Sequence, residues 1–166
     1  MVQVRVVGVA LDPAQQHVIL LKPLAEQKGE GRVLPVWIGP QEAMSILVAV
    51  EGAAVPRPLA HDLMSAMLRE LSATVDRVEV TRVDEGTFYA EITLDTPGGV
   101  RVIDARPSDA IALASRVDAA IFVADTVMDA AGVPDDAVEV DEGTDDDRVA
   151  EFRRFLDDVD PDDFHS

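Results

Sequence analysis

Between Asp104 and Ala110 the chain reads Asp-Ala-Arg-Pro-Ser-Asp-Ala, two carboxylates five residues apart with an arginine between them. A proline after a strand-like run suits the first position of a helix, which puts Asp104 at a strand end and Asp109 in a helix's first turn. Such a junction can bring both acids beside Arg106. Carboxylates so placed can hold a divalent cation, magnesium or manganese, while a guanidinium forks onto a phosphate; phosphodiester hydrolysis uses both. The plainer reading is structural, with Asp109 and Ser108 capping the helix and Arg106 pairing with Asp104.

His61 and Asp62 open another helical segment, shortly after Arg57. The positive end of a helix disfavours a protonated imidazole, so His61 would stay neutral and able to serve as general base or ligand. Alternatively Asp62 caps the helix and His61 is simply exposed. His17 and His165 belong to no constellation. Glu51 closes an apolar helix, where the dipole disfavours an acid, and Arg57 is a candidate partner for it. Trp37, the only tryptophan, reads as core or interface rather than a base-stacking platform, and Phe88 and Tyr89 read as core. No phosphate loop, dinucleotide glycine fingerprint or His-Glu-x-x-His is present.

The elements that must position these residues follow from periodicity. Alternating runs predict strands at Val2–Leu11, His17–Leu24, Val33–Ile38, Thr74–Val83, Thr87–Asp95, Val100–Asp104 and Ala120–Val123. Helices are expected over Pro40–Val50, apolar nearly all round and therefore deeply buried, and over Ala60–Leu71, with Leu63, Met67, Leu68 and Leu71 on one face. Two more run over Pro107–Val117 and Asp125–Ala131. Gly86 supplies the positive φ of a tight hairpin. Ile38–Met44 aligns with Ala105–Ile111 at a constant offset of 67 residues: strand, proline, an acid two residues later, then alanine. The chain thus reads as an α+β domain, a duplicated β-β-β-α unit with a mixed or antiparallel sheet over residues 1–133. An acidic connector and a short C-terminal amphipathic helix follow over residues 134–166, the helix carrying Val149, Phe152, Phe155 and Leu156 on one face.

Composition narrows the classes. The chain of 166 residues has no cysteine, which excludes disulfides and thiolate chemistry. No apolar run reaches the roughly 18 residues needed to span a bilayer, and the start lacks a signal-peptide layout, so no membrane partner and a cytoplasmic location are expected. The net charge is −18, of which Pro134–Ser166 contributes −11 and Met1–Val133 contributes −7. That balance repels phosphate backbones and weighs against a passive DNA coat, though not against an enzyme with metal-binding carboxylates. Twelve arginines against two lysines suggest a salt-loving or GC-rich source.

Five stretches carry a resemblance to the bifunctional nuclease domain family: Leu34–Gly39 (LPVWIG), Pro56–Leu63 (PRPLAHDL), Glu85–Ala90 (EGTFYA), Asp104–Leu113 (DARPSDAIAL) and Pro161–Phe164 (PDDF). They run in order along nearly the whole chain. Ala60 departs from the pattern, where similar sequences often have threonine, and so removes a helix cap rather than a catalytic group. The resemblance implies a compact α+β domain, cleavage of DNA and RNA, and homo-oligomers, usually dimers. Polar positions inside the motifs become the candidates: His61, Asp62, Asp104 and Asp109 for catalysis, Arg57, Arg106 and Ser108 for substrate, and Asp104 with Asp109 for a divalent ion. The rival expectation is a non-enzymatic oligomeric module that binds a protein or small ligand.

Overall fold

Two strand meanders, each ending in a helix, make up most of the chain. The computed structural model describes residues 1–27 and 29–138. β1 (Val2–Leu11), β2 (His17–Pro23) and β3 (Arg32–Ile38) are successively antiparallel and lead into α1 (Pro40–Glu51). After α2 (Ala60–Glu70), β4 (Thr74–Asp84), β5 (Thr87–Thr96) and β6 (Gly99–Ala105) repeat the pattern and lead into α3 (Pro107–Val117). Then come β7 (Ala120–Val123), α4 (Asp125–Ala131), β8 (Val133–Pro134) and a 3-10 turn at Asp135–Ala137. β7 joins the two meanders, antiparallel to β1 and parallel to β4. The sheet runs β6-β5-β4-β7-β1-β2-β3-β8. This is the expected α+β domain with a mixed sheet built from two β-β-β-α halves.

Alternation explains the core. Val4, Ile19, Val36, Val78, Val80, Ile92 and Val123 project from one face of the sheet onto Ile46 of α1 and Ile111 and Leu113 of α3. Ile46 is fully buried, so cutting it to alanine would cost about 2–5 kcal/mol. The β4–β5 hairpin closes through Glu85 (φ 47°) and Gly86 (φ 80°); two successive positive values are those of the turn whose twist matches its strands.

β2 is buried on both faces, because the chain beyond α4 folds over its outer side. There Val18, Leu20 and Val33 meet Val133 and Val138. Lys22, 2% exposed, pairs with Asp135 at 2.7 Å and donates to the Glu30 carbonyl. A buried ammonium without that carboxylate would be strongly destabilising, so the pair pins this return segment. Residues 134–138, the start of the expected acidic connector, are therefore docked on β2, and the expected C-terminal helix lies outside the described residues.

Two expectations about side chains are narrowed or corrected. Of the two readings for Trp37, core or interface, core is excluded: it is 53% exposed, because β3 turns it away from the helices. On α2 the predicted stripe of Leu63, Met67 and Leu71 faces solvent; Leu68 packs on the core, and the residue that α2 buries most is His61. No helix among the described residues is long and apolar enough to cross a membrane.

Candidate active site

α3 packs against both α1 and α2, and the first turns of α2 and α3 bring their polar residues to the buried side of α1. Ser45 sits there between apolar neighbours and is itself buried. A hydroxyl on a buried helix face needs a partner, and it has two. Ser45 Oγ lies 2.6 Å from His61 Nδ1 and accepts from an Arg116 guanidinium nitrogen at 3.1 Å.

From His61 the line continues outward. Its Nε2 is 2.8 Å from Asp109 Oδ1, and Arg106 Nε donates to Asp109 Oδ2 at 2.8 Å. Arg106 also pairs with Glu42 at 3.2 Å. On the inner side Arg116 Nε donates to Asp62 Oδ1 at 2.7 Å, while Asp62 Oδ2 accepts the Leu59 amide at 2.8 Å. The result is one connected series: Glu42, Arg106, Asp109, His61, Ser45, Arg116, Asp62.

Donor and acceptor capacity orders the protons. An ionised Asp109 only accepts, so His61 carries hydrogen on Nε2. In the neutral ring Nδ1 is then the acceptor, to which the Ser45 hydroxyl donates, while Ser45 accepts from Arg116. Burial alone would push the Asp109 carboxyl up, but hydrogen bonds from Arg106 and His61 outweigh it and hold the carboxyl below the ordinary aspartate value. Asp62 is held low in the same way, burial being overcome by the Leu59 amide and Arg116. The Arg106 value is raised, first by Asp109 and then by Glu42.

The structure therefore brings together Asp109, His61, Asp62 and Arg106 among the candidates. His61 is buried and bonded at both nitrogens, not simply exposed, and Asp62 both caps α2 and holds Arg116. Arg106 pairs with Asp109 and Glu42 rather than with Asp104. Ser108 is 6% exposed and lines a cleft of about 630 Å³ that Arg106 also borders. Arg57 is exposed in the link before α2 and forms no ion pair among the described residues.

Asp104 stands apart. It is exposed on β6 opposite Glu91 of β5, whose neighbours Ala90 and Ile92 point to the helix side, so Asp104 faces away from α3. The expected divalent ion on Asp104 and Asp109 thus finds no ready-made site. Both Asp109 oxygens are taken by nitrogen donors, and no three His, Asp or Glu cluster suitably among the described residues. Sequence reasoning did not single out Ser45 or Arg116. A hydroxyl amid Met44, Ile46 and Leu47 was the available signal for Ser45; for Arg116, at the end of a helix, we see none.

The Bifunctional nuclease domain family matches residues 23–136. An "Uncharacterized protein" of Mycobacterium tuberculosis is 40% identical over 165 residues, covering 98% of this chain and 97% of the relative. "Bifunctional nuclease 1" of Oryza sativa subsp. japonica is 27% identical over 115 residues, covering 68% of this chain and 34% of the rice protein.

Proposed function

Because the chain belongs to the bifunctional nuclease domain family, we propose that it is a nuclease hydrolysing phosphodiester bonds of DNA and RNA at the His61–Asp109–Arg106 site. The observation that carries this reading is the buried line from Ser45 through His61 to Asp109, ending at a guanidinium that is 65% exposed. Hydrolysis adds water across a P–O bond: a proton leaves the attacking water and another reaches the departing oxygen. His61 is the group oriented to exchange protons. Asp109 fixes its Nε2–H, and Ser45, itself held by Arg116, fixes the ring at Nδ1. Arg106, aimed by Asp109 and Glu42, grips the phosphate and offsets its developing charge. Arg116 and Asp62 hold Ser45 from behind, and Arg57, exposed in the link before α2, can meet a neighbouring phosphate.

No step in this scheme passes through a metal. Magnesium or manganese on Asp104 and Asp109 is the remaining form of the reading, and one assay separates the two. Single- and double-stranded DNA and RNA are offered to the pure protein with chelator, then with each ion, beside His61→Ala and Asp104→Ala. The expected result is cleavage lost in His61→Ala and kept in Asp104→Ala. Full activity of a folded His61→Ala protein would overturn the site.

A second reading, a non-enzymatic oligomeric module, is favoured by the apolar stripe of α2, where Leu63, Met67 and Leu71 face solvent. Absence of cleavage on every substrate, with assembly lost on Leu63→Glu, would select it.

A further inference from the structure

The cleft of about 630 Å³ lies where the two halves of the repeat meet. Gly39 and Pro40 at the start of α1 border it, as do Arg106, Pro107 and Ser108 at the start of α3. Neither helix start has a side-chain cap, so backbone N–H groups of both first turns are left over for something else. A stronger sign is Ser108. It is more than nine-tenths buried and lines the cleft, and among the described residues its hydroxyl has no hydrogen-bond partner. The hydroxyl itself is open to the cleft, since Arg77 Nε is the only fully buried side-chain polar atom without a partner among the described residues, and a ligand or solvent atom can meet it there.

The lining is exceptional for so acidic a chain. None of its residues is acidic, and Arg106 and His17 are among them. Two other clefts each carry aspartate, Asp118 in one and Asp12 with Asp136 in the other. The Arg106 guanidinium is paired with Asp109 and Glu42 but is 65% exposed, which leaves donors open to an anionic ligand. Trp37, whose exposed indole donates its N–H to Asp12 at 3.0 Å, borders both this cleft and the one that Asp12 lines, and the β4–β5 hairpin supplies Thr87 and Phe88. Gln15 and Gln16 add amide donors and acceptors at the rim. Aromatic surface, amides and a hydroxyl–guanidinium pair are the components that base, base edge and phosphate respectively require.

We infer that this cleft seats one unpaired nucleotide of the substrate strand, its base on Trp37 and its phosphate at the start of α3 against Ser108 and Arg106. The inference rests on the nuclease reading and adds the substrate class: single-stranded DNA or RNA. A base held in a duplex stack cannot lay its face on Trp37 without first being unpaired. Arg106 connects the two regions, because it borders the cleft and bonds Asp109. A phosphodiester seated against Arg106 therefore lies next to the His61 line.

Trp37 is the only tryptophan, so its fluorescence reports on the cleft directly. A short oligothymidylate and a self-complementary duplex are each titrated into the intact chain, with cleavage followed in the same samples. The expected result is saturable quenching, with the single strand bound about tenfold more tightly than the duplex. The exposed Thr87→Asp, which adds a carboxylate to the lining, should weaken the single strand by about tenfold while the circular dichroism stays unchanged. The inference is overturned by the absence of a saturable response, by a duplex that binds equally well, or by unchanged affinity in a folded Thr87→Asp protein. Cleavage without a Trp37 response would remove this subsite and leave the nuclease reading standing. A saturable response without cleavage would do the reverse.

Discussion

The starts of α1 and α3 are the same piece of backbone put to different uses. Each has proline at the first helical position, an acid at the third, and no side-chain cap. At α1 the residue before the proline is Gly39, and Glu42 folds back over it, so closely that a Cβ on Gly39 would stand 2.2 Å from Glu42 Oε2. At α3 the corresponding residue is Arg106 and the acid is the shorter Asp109, which reaches across to His61 instead. Both carboxylates then meet on the one guanidinium. The helix dipole favours an acid at either place; both acids reach Arg106, and only Asp109 also reaches His61.

The sharpest way to break this comparison is to remove each acid in turn. Asp109→Ala unties both His61 and Arg106, and cleavage should fall by about 10²–10⁴-fold. Glu42→Ala frees Arg106 from only one of two partners, and a loss of about tenfold or less is expected in kcat/KM. Equal losses would mean that the two junctions are functionally equivalent.

Acid stability tests the two aspartates of the site next. Asp109 and Asp62 are held below the ordinary aspartate value, so on acidification the unfolded chain binds protons first. Their contribution to stability is present above about pH 4 and is lost as pH falls through the lowered folded values. The Asp62→Asn, Asp109→Asn protein should melt lower at neutral pH and lose less on acidification. Parallel melting curves for parent and double variant would contradict the assigned hydrogen bonds.

The smallest effect belongs to Gly39→Ala. The backbone there is extended, with φ −72°, and accepts alanine, while the crowding atom is the end of a flexible side chain. Glu42 should swing off Arg106 at a cost within about 1 kcal/mol, and cleavage should fall no further than in Glu42→Ala. A loss of several kcal/mol in thermal unfolding would show that Glu42 is held rigidly.

The elements of the fold were legible because their causes are local. Alternation marks the strands, Pro40 and Pro107 start helices whose first position needs no N–H, and Gly86 closes a hairpin that demands positive φ. Motif reading also found His61, Asp62, Arg106 and Asp109. It joined Asp104 to Asp109 through their nearness in sequence, although the pleat of β6 turns Asp104 to the far face. Similarly, Trp37 read as core or interface, and the register of β3 sends it outward, which excludes core.

What the amino-acid sequence determined by itself was the set of strands and helices, the repeat and the chemical types available to a site. Tertiary structure alone decided the partners. Ser45 finds His61 and Arg116 across 16 and 71 residues, and His61 finds Asp109 across 48. Those meetings depend on how three helices pack over one sheet, and periodicity within a single helix carries no record of what packs against it.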